Sequence, residues 1–154
     1  MRTAPLEDIL RREFDGMQRL GDILAEEFTL LGRSDPDAVD AVLQRKSAIL
    51  DELQRHANER SVALAATGVA GAAETEAWLR AHAGEPTAAL WRDLLARTRN
   101  VWTQHQTNTT LLEGLMRHNR QTLDLLTRLA NPDMTYQADG STAGGFGTRS
   151  RGQA

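Results

Sequence analysis

The sequence predicts an all-α chain, an elongated antiparallel helical bundle or coiled coil of three long helices and one short one, followed by a flexible C-terminal tail. Three observations carry this. Ala, Leu, Arg, Glu and Gln dominate the 154 residues, aromatics make up 5%, and β-branched runs are absent, which is the composition of long helices. Apolar residues recur at alternating spacings of 3 and 4 in three separate stretches. The prolines, Pro5, Pro36, Pro86 and Pro132, all fall at the ends of those stretches.

Helix 1 is expected over 6–31, where Leu10, Phe14, Met17, Gly21, Leu24, Phe28 and Leu31 form one stripe that Leu20 and Ile23 widen. Gly21 occupies a stripe position, where a missing side chain lets a neighbour approach but lowers helix propensity by about 1 kcal/mol. Gly32 is the expected residue after the C-terminus. The next start is well marked: Asp35 can cap, Pro36 suits the first helical position and Asp37 complements the positive end of the dipole. Helix 2, over 36–66, carries Val39, Leu43, Leu50, Leu53, Ala57 and Leu64 on one stripe, flanked by Val42 and Ile49. A connection this short makes helices 1 and 2 antiparallel neighbours.

Lys46 lies in the stripe between Leu43 and Leu50, and a buried cation there needs a carboxylate partner. Two glycines in Thr67 to Ala73 break the pattern. A short helix over 74–82 holds Trp78 and Leu79 as its only large apolar residues, and Gly84, Glu85 and Pro86 separate it from the longest stretch.

That stretch, 86–130, organises the chain. Trp91, Leu94, Thr98, Val101, His105, Asn108, Leu112, Leu115, Asn119, Thr122, Leu126 and Leu129 follow a heptad seam with no proline inside it. Roughly 45 helical residues span about 65 Å and need partners. The seam is uneven: Thr103 to Thr110 is polar at every position, between a bulky apolar start (Leu90, Trp91, Leu94, Leu95, Val101 and Trp102) and a Leu-rich end. Thr and Asn are poor helix formers, so the middle is the expected weak point. His105 and Asn108 read either as polar core positions that fix register or as a hinge. Asn131 and Pro132 end the helix, and the Gly-rich residues 131–154 read as a disordered tail.

Composition excludes several classes. There is no cysteine, hence no disulfide framework or thiolate metal site. A net charge of −3 argues against a nucleic-acid footprint. The N-terminus has no apolar core of signal-peptide length and no stretch reaches a membrane span, so a cytoplasmic protein is expected. A di-iron site in a bundle requires Glu-x-x-His pairs, but Leu53, Leu79, Trp102 and Leu115 stand three before the four histidines. Glu52 and His56 are spaced as a solvated i, i+4 pair. No nucleophile motif or phosphate-binding glycine loop occurs, and neither an enzyme nor a cofactor is expected.

Three blocks of residues resemble the FlgN family of flagellar export chaperones. The first is Lys46-Ser47-Ala48-Ile49-Leu50-Asp51-Glu52-Leu53, similar to a Lys-Ser-x-Leu-Leu segment. The second is Asn108-Thr109-Thr110-Leu111-Leu112-Glu113-Gly114, with Arg117, Asn119, Gln121 and Leu123 following, and the third is Tyr136-Gln137-Ala138-Asp139-Gly140. Thr109 and Gln137 stand where the family pattern has glycine. The resemblance spans about residues 6 to 140. It implies a non-enzymatic role in type III secretion: binding the hook-filament junction proteins FlgK and FlgL and delivering them to the export gate FlhA.

By the same resemblance, substrates bind the C-terminal helical region, here Leu111, Leu112, Leu115, Met116, Asn119, Leu123 and Leu126. The gate contacts the tail, here Tyr136, Asp139 and Gly140. The expected organisation is one helical domain over 1–130, with 111–130 as its capture segment, and a tail over 131–154. Periodicity leaves one alternative, a coiled-coil scaffold or adaptor that forms a homodimer through the long helix.

Overall fold

The structure, a computed structural model, describes residues 4–130. Four helices account for almost all of them: α1 (Ala4–Leu30), α2 (Pro36–Ala65), α3 (Ala72–His82) and α4 (Glu85–Ala130). No strand occurs among the described residues. The helix ends differ from the sequence expectation by at most two residues, the usual fraying range. Residues 131–154, including the expected tail, lie outside the described residues. The chain divides into two units, Met1–Glu113 and Gly114–Ala154.

Capping chemistry sets the α1–α2 hairpin. Asp35 accepts the Ala38 amide at 3.1 Å through Oδ1 and Pro36 opens the helix, as expected. Gly32 departs from expectation, since it does not adopt the positive φ of a left-handed cap; Gly68, Gly71 and Gly84 do. The α1 end closes instead by ordinary turns, with the Leu31 amide on the Glu27 carbonyl at 3.0 Å and the Arg33 amide on the Leu30 carbonyl at 2.9 Å.

Topology within the first unit can be read from residue pairs. Arg12 meets Glu59, Glu13 meets Arg60, Arg19 meets Glu52, Glu26 meets Arg45, and Glu27 meets Lys46. From the first pair to the last the α1 number rises while the α2 number falls, so α1 and α2 are antiparallel. Between α1 and α4 both numbers rise: Thr87 donates to Glu7 at 3.4 Å, and Asn108 reaches Leu24 and Glu27. The α4 segment up to Glu113 therefore runs parallel to α1 and antiparallel to α2, an up-down-up arrangement with α3 as the return.

The core has two clusters. Leu6, Leu10, Leu64, Leu79, Ala88, Trp91 and Leu94 form one. Leu20, Ile23, Leu24, Val42, Ile49, Leu53 and Val101 form the other. Each fully buried Leu contributes on the order of 1.5–3 kcal/mol. Two α1 glycines admit neighbours closely. A Cβ built on Gly16 would lie 2.7 Å from Leu53 Cδ2, and one on Gly21 would lie 3.0 Å from Arg97 Cζ.

Several expected burial phases are corrected. On α2 the buried stripe is Val42, Ile49, Leu53, His56 and Leu64, while Leu43 and Leu50 are nearly half exposed. The stripe is rotated because α2 packs between α1 and α4 and turns its inter-helix midline, not its most Leu-rich line, inward. His56 is consequently buried rather than solvated, with Nε2 at 3.6 Å from Glu52 and Nδ1 at 3.7 Å from Glu59. On α1, Phe28 is exposed and Glu13 is buried. On α4, Asn108 is buried as a polar core residue, whereas His105 is exposed.

Candidate partner-binding surface

The polar groups that position α4 come first. Glu13, 4% exposed, accepts from Arg60 Nε at 2.7 Å and Nη2 at 3.1 Å. Arg60 also stacks over Trp91, its Cζ 5.3 Å from the ring centroid, and Trp91 Nε1 donates to the Ala72 carbonyl at 3.1 Å. One charged pair thus ties α1, α2 and α4, and the indole adds the start of α3. A second group is exposed: Arg80 and Arg92 each bridge Glu76 and Glu85. These hydrogen bonds lower both carboxyl pKa values, Glu76 chiefly through Arg92 and Glu85 chiefly through Arg80. Glu52 is lowered mainly by its hydrogen bond from Arg19.

The third group joins all three long helices. Glu27 accepts from Lys46 Nζ at 2.9 and 3.2 Å and from Asn108 Nδ2 at 2.8 Å. Asn108 Nδ2 also donates to the Leu24 carbonyl at 2.9 Å. The carboxylate that Lys46 was expected to need is thus Glu27. Lys46 and Asn108 open two of the sequence blocks quoted above, and the fold brings them to the same carboxylate.

Around the polar middle of α4 the helix is continuous, and its threonine hydroxyls turn inward on the backbone. Thr98, Thr103 and Thr107 donate to the carbonyls four residues earlier at 2.8, 3.1 and 3.0 Å. One aromatic is unexpectedly open: Trp102 is 64% exposed. It borders a groove of about 250 Å³ with Met17, Leu20, Leu50 and Val101. Sequence reasoning placed Trp102 with the apolar start of the helix, and its position one residue past the buried Val101 is the signal that it faces outward.

The sequence-derived binding residues lie on the Leu-rich part of α4. Leu112, Met116, Leu123 and Leu126 are between 44% and 64% exposed, and Asn119 is exposed with them. At 100° per residue these five fall within a strip about 80° wide on the helix. Leu111 and Leu115 are half-buried beside that strip. Leu125 and Leu129 are also exposed, and the candidate set omitted them. The residues expected to contact the gate, Tyr136, Asp139 and Gly140, lie outside the described residues.

The sequence profile of the FlgN protein family matches residues 1–144. The chain belongs to the FlgN family. Neither a characterised protein nor a solved structure matches it. FlgN membership marks the chain as a flagellar export chaperone that binds export substrates, and the family is not one of enzymes. Among the described residues, no group of three or more His, Asp and Glu side chains is placed to hold a metal ion, and no helix is long and apolar enough to cross a membrane.

Proposed function

We propose that this FlgN protein holds the hook-filament junction proteins FlgK and FlgL in the cytoplasm through the Leu-rich face of α4 and passes them to the export gate FlhA through its C-terminal tail. The observation that carries the reading is the uncovered strip of Leu112, Met116, Leu123 and Leu126. An amphipathic helix laid into such a surface is a recurrent mode of peptide recognition. Leu111, Leu115 and Asn119 flank or interrupt the strip and complete the proposed contact set, with 111–130 as the capture segment of a helical domain over 1–130. Tyr136, Asp139 and Gly140 are assigned to the gate by family resemblance, within a tail over 131–154.

The test of the capture face is a titration with C-terminal fragments of FlgK and FlgL. Changing Leu115 and Leu126 together to Ala is expected to weaken binding at least ~100-fold, about 2.7 kcal/mol, with the thermal unfolding midpoint unmoved. An unchanged dissociation constant overturns the assignment. For the tail, Tyr136→Ala is expected to abolish association with FlhA while leaving FlgK binding and stability intact.

A second reading rests on the same strip. Its spacing suits a two-stranded coiled coil, so the chain is a candidate homodimeric scaffold through α4. Sedimentation equilibrium separates the two readings. A monomer that binds the fragments supports the chaperone, and a dimer that the Leu115/Leu126 pair of substitutions dissociates supports the scaffold.

A further inference from the structure

The segment of α4 from Thr103 to Asn108 is held differently from the rest of the packed bundle. Below it, Trp91, Leu94 and Val101 are buried among apolar neighbours. Within it every side chain is polar and only Asn108, 5% exposed, is buried. Two cavities flank it. One, about 250 Å³, is bordered by Met17, Leu20, Leu24 and Trp102, and the other, about 260 Å³, by Leu24, Phe28, Gln104 and Thr107. Leu24 borders both and is itself almost fully buried. Two buried polar atoms nearby, Arg97 Nε and Gln104 Oε1, have no hydrogen-bond partner. A segment with open grooves on both sides makes few packing contacts, and its unpaired polar atoms weaken it further.

What remains to hold the segment is the Asn108 bond to the Leu24 carbonyl and, with a charge behind it, the Glu27 carboxylate. Its partners Lys46 and Asn108 come from the two other long helices, and both Asn108 donor contacts end on α1. We propose that Glu27 is a latch: when its contacts to Asn108 break, Thr103 to Asn108 opens from α1 as a local unit, well before the bundle unfolds, and joins the two flanking cavities over Leu24 into one apolar slot. Charge-assisted hydrogen bonds are the strongest polar contacts available there, so one carboxylate sets the opening equilibrium. Opening of this kind, in a cooperative unit cheaper than global unfolding, is common where apolar contacts are few. The Thr103 and Thr107 hydroxyls, already bonded to helix carbonyls, make local bending of α4 easier. The latch does not depend on which partner α4 binds.

Amide hydrogen exchange of the full chain tests it. Glu27→Gln keeps the shape but removes the charge. It is expected to speed exchange of the Thr103 to Asn108 amides by about 10-fold or more, leave Ala88 to Val101 unchanged, and raise binding of the apolar dye 8-anilinonaphthalene-1-sulfonate. Glu26→Gln is the control, since it removes the neighbouring exposed α1–α2 ion pair with Arg45; it is expected to do none of these. An equal rise in both segments shows that Glu27 contributes only general stability, and no rise shows that it holds nothing. Either result overturns the latch. If Glu27→Gln does not fold, native-state exchange of the unsubstituted protein in low urea decides. The latch requires Thr103 to Asn108 to exchange through an opening less dependent on urea than that of Ala88 to Val101, and a common dependence overturns it.

Discussion

The two ends of α4 carry the same heptad pattern and have opposite fates. Trp91, Leu94 and Val101 are spaced 3 and 7 apart and buried; Met116, Leu123 and Leu126 are spaced 7 and 3 apart and more than half exposed. Periodicity specifies which face of a helix is apolar, not whether anything covers it. Coverage depends on what faces the helix. Glu27 lies opposite Asn108, so α1, which ends at Leu30, has almost run out at that level. An exposed apolar stripe of this kind is what the proposed capture face rests on.

The sharpest way to break the comparison is to truncate one residue at each end. Trp91→Ala is expected to cost about 3–5 kcal/mol by urea denaturation, whereas Leu123→Ala stays within about 0.5 kcal/mol. Equal losses would show that the Leu-rich end is part of the folded core. Next in size is Glu13→Ala, which leaves Arg60 without its carboxylate and is expected to cost about 3 kcal/mol. A combined Glu13→Leu, Arg60→Met variant should recover most of that loss. Gly16→Val drives a side chain into Leu53 and is expected to cost roughly 1–3 kcal/mol, while Gly114→Ala, with open space around it, should stabilise slightly.

The smallest effect is electrostatic and lost in acid. Glu52, Glu76 and Glu85 have folded pKa values lowered from the ordinary 4.5. Their contribution is therefore complete above that value and disappears as the pH falls through the lowered ones. Glu76→Gln with Glu85→Gln should lower the neutral plateau slightly, since the pairs are exposed and screened, and leave stability at the acid end unchanged, so that the acid limb below pH 4.5 flattens.

Much of this molecule was legible in the sequence because punctuation is local. Asp35 and Pro36 fix the start of α2 through chemistry within four residues, and prolines bound every long stretch. Burial phase was harder, since it depends on two neighbours at once. Leu43 and Leu50 offer at least as much apolar surface as Val42 and Ile49, yet α2 lies between α1 and α4 and buries the latter pair together with His56. The pairing of Glu13 with Arg60 joins residues 47 apart, and neither residue's surroundings in sequence signal that it is buried. Lys46 announced that it needed an anion, but nothing in the spacing pointed to Glu27 rather than Glu26. On the candidate surface the apolar strip was readable, because the spacing of Leu112, Met116, Leu123 and Leu126 alone places them on one face of the helix. Trp102 was missed because a bulky aromatic beside Val101 reads as core until the third helix is in place.

The rungs between α1 and α2 also act as a spelling check on alignment. A hairpin built on seven-residue repeats is nearly indifferent, in apolar terms, to sliding one strand by seven. The charges are not. Slipped by one repeat, Arg12 would still find Glu52, but Arg19 would face Arg45, and Glu26 and Glu27 would face Ala38 and Val39 instead of Arg45 and Lys46. The exposed pairs Arg19–Glu52 and Arg45–Glu26, which each add little to the native state, thus join the part-buried Glu27–Lys46 pair in disfavouring a misaligned hairpin.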